Sequence, residues 1–407
     1  MVWIGVIASY LGIGCSVGLL VYWGVGLSRI IVTSRRVPTA RAGDALARAN
    51  PPTEPVCVVV PAHNEAHAIG DVVRSLRSQD HRAMRVVLAL DRCTDATLAV
   101  ATEAIGNDSR FEILQIESCP EGWAGKVHAV WTGVTRSEGA RGAAYLLFID
   151  ADTELAPTCV SGAHAAMRDR SLDMLSYLST LSHDTWYETL VQPAASLELL
   201  RQFPLMQASR DEGRRPFANG QFMMFRASSY FAIETHEAVK DELLEDLALA
   251  RRIEQARMRA GVYVASGVVR CRMYESWAAF RRGWKRIYTE AARRRPAKLR
   301  RAAGRMVIPG AILPACAGIG VLGSIVMFVH RDLVLGSIAL AMCTLGLLIF
   351  FGAVGLAYRL GGAPLWSVPG YPIGAILASR ILKEAASDLI ESRPTEWGGM
   401  KYARKSQ

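Results

Sequence analysis

The first charged residue of this chain is Arg29, so residues 1–28 form an unbroken uncharged run. That run exceeds the ~20 residues a helix needs to cross a ~30 Å hydrocarbon core. It lacks a basic leader and outlasts the ~7–15-residue apolar core of a signal peptide, so a retained membrane span is expected rather than a cleaved one. Arg29, Arg35, Arg36, Arg41 and Arg48 follow it, and basic flanks favour the cytoplasmic side. Uncharged runs recur at 306–330 and 333–358, separated only by Arg331 and Asp332, which reads as a helical hairpin through a bilayer. A second basic cluster, Arg293, Arg294, Arg295, Lys298, Arg300, Arg301 and Arg305, precedes the hairpin and points to the same side. Residues 360–379 are uncharged again but carry Pro364, Pro369, Pro372 and four glycines, so a re-entrant or interfacial segment and a further span are both open.

The 255 residues from 51 to 305 are of another kind. Short apolar runs at 56–60, 85–90, 111–116 and 144–149 read as buried parallel strands, with amphipathic helices at 66–78, 96–105 and 126–134 between them. The expected architecture is α/β: a Rossmann-like mixed sheet held between membrane-spanning helices. The expected organisation is a span and basic flank at 1–33, a catalytic domain at 51–274, an amphipathic interfacial helix and basic linker at 275–305, a membrane region at 306–379 and a tail at 380–407. Apolar residues at 51% with a mean hydropathy of +0.18 exclude a disordered chain. The net charge of +10 collects beside the spans with no nucleic-acid docking motif, so a lipid surface is the expected partner and nucleic acid is not. Eight scattered cysteines without a CxxC pair read as reduced, small apolar residues.

Residues that could carry chemistry gather at strand ends, where open α/β sheets bind ligands. The first strand runs into Pro61-Ala62-His63-Asn64-Glu65, whose last two residues are either site residues or a helix cap and dipole complement. The second ends at Asp91, with Asp95 expected to cap the next helix. The fourth ends in Asp150-Ala-Asp152, two carboxylates suited to one Mg2+ or Mn2+ whose other ligands come from water and a diphosphate. Gly122-Trp-Ala-Gly-Lys126 opens a helix and lacks the P-loop hydroxyl; it is either a phosphate-binding turn or a plain helix entry. Glu245-Asp246 opens another helix, as a general base with its neighbour or as a dipole complement. Trp277, Phe280, Trp284, Ile287 and Tyr288 recur at helical spacing among arginines, the pattern of an in-plane membrane helix.

In this order, Pro61-Ala-His-Asn-Glu65, Asp91 with Thr94-Asp95, Gly125-Lys126, Asp150-Ala-Asp152, Asn219-Gly220-Gln221 and Glu245-Asp246 resemble the motif series of family 2 inverting glycosyltransferases. The Gly-Trp-x-Gly-Lys loop and the Trp397-Gly-Gly-Met-Lys-Tyr402 tail resemble its membrane-anchored, lipid-modifying branch, which includes hopanoid-associated, carotenoid and ceramide glycosyltransferases. The resemblance implies a GT-A fold and a metal-dependent enzyme of an inner bacterial membrane with its catalytic domain in the cytoplasm. Its partners would be a nucleotide sugar, UDP-linked, and a lipid acceptor that receives one sugar. It further implies that Pro61, Ala62, Asn64, Glu65, Asp91, Lys126 and Asp150 bind the donor, and that Asp152 holds the metal with Asp150. Asp246, with Glu245, would be the catalytic base, and Asn219, Gly220, Gln221 and Trp284 would meet the acceptor. Two departures stand out. Arg92-Cys93 replaces the Gly-Ser that usually follows this aspartate, and Arg281-Arg-Gly-Trp284 matches the processive synthases' signature only in part, which favours single transfer over polymer synthesis. A non-catalytic nucleotide-sugar-binding protein is the remaining alternative.

Overall fold

The computed structural model of the chain describes residues 2–208, 215–397 and 400–402. Its centre is a seven-stranded sheet in the order Phe111–Ile116, Met84–Asp91, Val56–Ala62, Tyr145–Ile149, Phe222–Arg226, Met174–Leu178, Ala260–Val264. Val56–Ala62 pairs in parallel with both neighbours. Phe222–Arg226 runs antiparallel between Tyr145–Ile149 and Met174–Leu178, which makes the sheet mixed, as expected. All seven residues of Val56–Ala62 are buried, the mark of a central strand covered on both faces. The four strands expected from apolar runs are present: two are extended by up to two residues, 111–116 is unchanged, and the fourth starts one residue later, at Tyr145. Phe222-Met-Met-Phe fills the sheet interior.

Among the described residues, three helices are long and apolar enough to cross a membrane: Val2–Arg36, Pro296–Val329 and Leu333–Gly361. They pack through small residues. A Cβ on Gly12 would strike the Gly320 backbone and come within 2.9 Å of the Cys343 sulfur, a close approach of the kind that apolar helices use when lipid provides no hydrophobic drive. Outward-facing residues such as Trp3, Ile4, Leu322 and Val334 are exposed. The middle helix passes through a π-helical stretch at Ile308–Ile312. The Pro309 carbonyl there accepts a hydrogen bond of 2.8 Å from Trp23 Nε1, so the helix irregularity is satisfied by a side chain from the first span.

The stretch at 360–379 becomes a 3-10 turn, Leu365–Gly370, and the start of helix Tyr371–Ile390. That helix carries Arg380, Lys383, Glu384 and Asp388 and packs its buried face on neighbouring helices of the protein. The basic linker is itself helical, Pro296–Val307, and leads directly into the second apolar helix. Helix Trp277–Ala291 buries Phe280, Trp284 and Tyr288 in one protein cluster with Tyr187 and Ala385. Its aromatic face is thus occupied by protein, while Arg281 and Lys285 pair with Glu384 and Asp388 at 2.7 and 2.5 Å. The aromatic spacing was legible; the partner that covers it was not.

A titratable pair lies against the central strand Tyr145–Ile149. His164 is fully buried, its ring nitrogen 3.0 Å from that of His81 and its ring tilted against Tyr145 at 4.2 Å between centroids. Burial, reinforced by His81, pushes its pKa from 6.5 down to about 4. The unfolded chain therefore binds more protons than the folded one between these values, and stability falls as pH drops through that window. Relative to a His164→Gln variant, the protein should lose about 3 kcal/mol between pH 7 and pH 4. Thermal melts of the two proteins across this range that run parallel would refute the assignment.

Candidate functional site

The carboxyl ends of Val56–Ala62, Met84–Asp91 and Tyr145–Ile149 open onto one face, and the loops leaving them carry the polar residues singled out in the sequence. Pro61 and Ala62 are the buried last residues of their strand. Asn64 adopts a left-handed backbone, φ 57°, and its side-chain oxygen accepts from the Thr94 amide at 2.8 Å. It braces one loop against the next rather than capping a helix. Asp95 accepts from the Thr97 and Ala66 amides at 3.0 and 3.2 Å, a structural clamp that holds its carboxyl below the usual range.

Asp91 is 2% exposed and receives both arms of Arg92, at 2.9 and 2.6 Å. The arginine that replaces glycine in this loop thus neutralises the neighbouring carboxylate. Gly125 lies against the pair: a Cβ there would fall 2.8 Å from Arg92 Nη2 and 3.2 Å from Asp91 Oδ2. The Gly125 amide donates to the Tyr402 hydroxyl at 3.2 Å. A short hairpin, Thr395–Trp397 with Met400–Tyr402, therefore reaches the same loop from the far end of the chain. Gly398 and Gly399 of the expected tail motif lie outside the described residues.

Lys126 is the centre of a second group. Its ammonium sits 2.6 Å from Asp150 Oδ1 and 2.6 Å from Glu245 Oε1, joining the end of a strand to the start of helix Glu245–Gln255. Burial alone would lower a lysine's pKa, but the two carboxylates outweigh it and hold the ammonium charged. Glu245 is 3% exposed, and Lys126 keeps its carboxyl ionised against the cost of burial. Asp246, next to it, accepts from the Gly220 amide at 3.0 Å and its own neighbour's amide, Leu247, at 2.7 Å. Burial, then the Glu245 charge, pushes its pKa up to about 6. Position 220 is tight: a Cβ there would lie 3.2 Å from Lys126 Nζ, 3.3 Å from Glu245 Oε1 and 3.5 Å from Asp246 Oδ2, so these side chains would have to shift slightly.

A third group is acidic. Burial and the Asp150 charge push Asp152 up to about 7. Burial and both aspartates push Glu65 up to about 8. Asp152 Oδ1 accepts from the Cys271 thiol at 3.3 Å, and Cys271 Sγ in turn accepts from Gln221 Nε2 at 2.9 Å. Among the described residues no three His, Cys, Asp or Glu side chains converge as a ready cation cage. Asp150 and Asp152 form a partial set of hard oxygen donors in a locally negative site, and this suits a cation that takes its remaining ligands from substrate oxygens.

From Asp246, Glu245, Lys126 and Asp150 a largely apolar cavity of about 230 Å³ extends past Leu200, Phe217 and Ile287 to Ala357, Tyr358 and Gly361, at the end of an apolar helix. Asn219, Gly220, Gln221 and Trp284 all line it. Asn219 is held by hydrogen bonds to the Tyr177 carbonyl and Ser179 hydroxyl at 3.1 and 3.2 Å. Trp284 is 2% exposed, and its indole N–H has no acceptor among the described residues. Cys271, Arg286 and Tyr402 also belong to this region, and sequence reading missed them as site residues. Cys271 looked like any buried cysteine, and Arg286 like one more cation on a basic helix; Arg286 lines the cavity and donates to the Leu243 carbonyl at 2.6 Å, just before the acidic pair.

Residues 51–342 match the sequence profile described as glycosyltransferase like family 2. A curated relative, 4,4'-diaponeurosporenoate glycosyltransferase of Staphylococcus haemolyticus (strain JCSC1435), is 22% identical over 233 residues, covering 55% of this chain. The match spans 58% of that relative's length. Among solved structures, the mannosyltransferase PcManGT of Pyrobaculum calidifontis, in complex with GDP-Man and Mn2+, aligns over 94% of this chain and 99% of its own at 14% identity and a TM-score of 0.49. S. aureus TarS 1-349 in complex with UDP-GlcNAc aligns over 87% and 97% at 14% identity and a TM-score of 0.40.

Proposed function

This chain belongs to the glycosyltransferase like family 2, and from that premise we propose that it is a membrane-bound inverting glycosyltransferase that moves a single sugar from a nucleotide sugar, UDP-linked, to a lipid acceptor. The observation that carries the acceptor reading is the cavity joining Asp246 to the end of helix Leu333–Gly361. An apolar molecule can enter it from the hydrocarbon side and bring a polar end to the acids. The name of the Staphylococcus relative, a carotenoid-type transferase, supports the same class of acceptor.

In this reading Asp246 accepts the proton of the acceptor hydroxyl. The oxygen forms its bond to the anomeric carbon from the face opposite the nucleotide, and the bond to the diphosphate breaks, so the nucleoside diphosphate leaves with the electron pair. A base with a pKa near 6, fixed by two backbone amides, is suited to that transfer near neutral pH. Lys126 holds Glu245 and Asp150 in place and keeps the Glu245 carboxyl ionised; burial raises the pKa of the Asp150 carboxyl despite the lysine. Asp91, Asn64, Glu65 and the Gly125 turn form the donor side, with Pro61 and Ala62 beneath it. Asn219, Gln221 and the unpartnered Trp284 N–H present hydrogen-bonding groups toward the acceptor. Asp152, with Asp150, would hold Mg2+ or Mn2+, which when bound supplies charge stabilisation for the leaving diphosphate. The domain bearing these residues is read as cytoplasmic, from the arginines flanking the first and second apolar helices.

Purified detergent-solubilised protein should release nucleoside diphosphate from a UDP-sugar, or from a GDP-sugar if the nucleotide assignment is wrong. Release should require both a bacterial lipid extract and Mg2+ or Mn2+. Chelation with EDTA should lower the rate by about 100-fold or more, in line with the several kcal/mol a Lewis acid contributes. Donor binding with no release across acceptors would favour a non-catalytic nucleotide-sugar-binding protein, and chain extension would favour a processive synthase.

A further inference from the structure

A second cavity, of about 310 Å³, lies behind the acidic helix and shares Leu244 and Leu247 with the acceptor cavity. Its polar wall is built from Arg251 on helix Glu245–Gln255, Arg293 and Arg294 just beyond helix Trp277–Ala291, and the acids Glu242 and Glu290. The charges do not pair off evenly. Arg294 takes both acids, Glu290 at 3.0 Å and Glu242 at 3.9 Å. Arg251 and Arg293 remain, with no side-chain hydrogen bond or ion pair among the described residues. Arg251 is half-buried and Arg293 exposed; burial, then the Arg293 charge, lowers the pKa of the Arg251 guanidinium, against the opposing pull of Glu242, Asp246 and Glu290. Two guanidinium groups without a side-chain partner on one cavity wall are available to an incoming anion.

The backbone that aims them is also costly. Arg293 and Arg294 both adopt left-handed conformations, φ 55° and 53°, where glycine is the residue that fits without strain. Their amides return to the Glu290 and Thr289 carbonyls at 2.8 and 2.9 Å, closing the helix end. Two strained arginines in place of glycines at this turn bring guanidinium groups to the cavity wall.

We infer that this cavity is a phosphate-binding site, in which Arg251 and Arg293 grip one phosphate group behind the helix that carries Asp246. Guanidinium is the group that recognises phosphate in a bidentate manner. The phosphate comes either from an anionic lipid headgroup, since helix Pro296–Val307 leads from the site into an apolar helix, or from a free phosphate compound. Because Leu244 and Leu247 line both cavities, an occupant braces the segment that presents Glu245 and Asp246. The site is separate from the donor and acceptor groups, and its test does not depend on their assignment.

The test uses the full chain in nanodiscs of phosphatidylcholine, with and without phosphatidylglycerol, and separately with inorganic phosphate added. Thermal unfolding is read for the wild type, for Arg251→Gln/Arg293→Gln, and for Arg300→Gln/Arg301→Gln as an equally charge-reduced control on exposed positions. The wild type and the control should be stabilised by phosphatidylglycerol or by phosphate. The Arg251/Arg293 variant should need roughly 10-fold or more ligand for the same shift, as expected when charge-assisted hydrogen bonds are lost. A response to phosphatidylglycerol alone assigns a lipid headgroup, and a response to inorganic phosphate assigns a free compound. Equal responses in all three proteins, or in neither ligand series, would overturn the site. Should the double variant fail to fold, Arg251→Lys retains the charge but loses the fork, and an unchanged ligand requirement in that protein would overturn it equally.

Discussion

Asp246→Asn is expected to lower turnover by roughly 10²- to 10⁴-fold, the range a general base contributes, while donor affinity stays within about twofold. The asparagine is nearly isosteric, so the turn at Gly220 and the helix start keep their shape. What disappears is the carboxylate that accepts the acceptor's proton. The charged groups facing this position are Glu245, Lys126 and Arg251, with Asp150 on the far side of the lysine. Of these, the Glu245 carboxylate raises the pKa and the lysine opposes it, leaving it at about 6. A base works when deprotonated, so the wild-type rate should fall about tenfold per pH unit below that value and level off above it. Stopped donor turnover with intact isothermal donor binding in the variant would fit. Turnover close to wild type would remove Asp246 from the role, and Glu245 is unsuited to replace it because it is already committed to Lys126.

Lys126→Met should produce the largest loss of stability among single changes at the site, about 3 kcal/mol, because one cation serves the buried Glu245 and the half-buried Asp150. Methionine fills the space of the side-chain stem but leaves Asp150 and Glu245 facing each other uncompensated. In the variant both carboxyls would titrate above their unfolded values. Folding would then take up protons, and the deficit would be greatest near neutral pH and shrink as pH falls toward the carboxylate range. A melt midpoint equal to wild type at pH 7, or a deficit that grows on acidification, would contradict the bridging role. The same variant should also weaken donor binding, since the Gly125 turn beside Asp91 is the start of the lysine's own helix.

These two residues illustrate how far local pattern reaches. Lys126 was legible as a cation at a helix entry, and Glu245 as an acid at a helix start, yet their contact spans 119 positions and is made only when helices Gly125–Arg136 and Glu245–Gln255 meet. Asp152 was legible from its spacing to Asp150 at a strand end. The thiol that donates to it, Cys271, came from a strand of the smaller sheet, Thr153–Leu155, Val269–Cys271 and Thr180–Leu181. Tyr402 lies 277 positions from the amide that reaches it.

The sequence alone determined the apolar helices, the strands of the sheet's parallel half and the order of polar motifs at their ends. Each of these is a local property, written in uncharged length, in apolar runs and in residues a few positions apart. Tertiary structure alone decided that the aromatic face of Trp277–Ala291 is covered by protein, that Arg92 neutralises Asp91, and that one cavity links Asp246 to the end of an apolar helix. The physical reason is that charge pairing and burial depend on which distant surfaces the chain brings together. Periodicity records only that a face must be covered, and leaves its partner open.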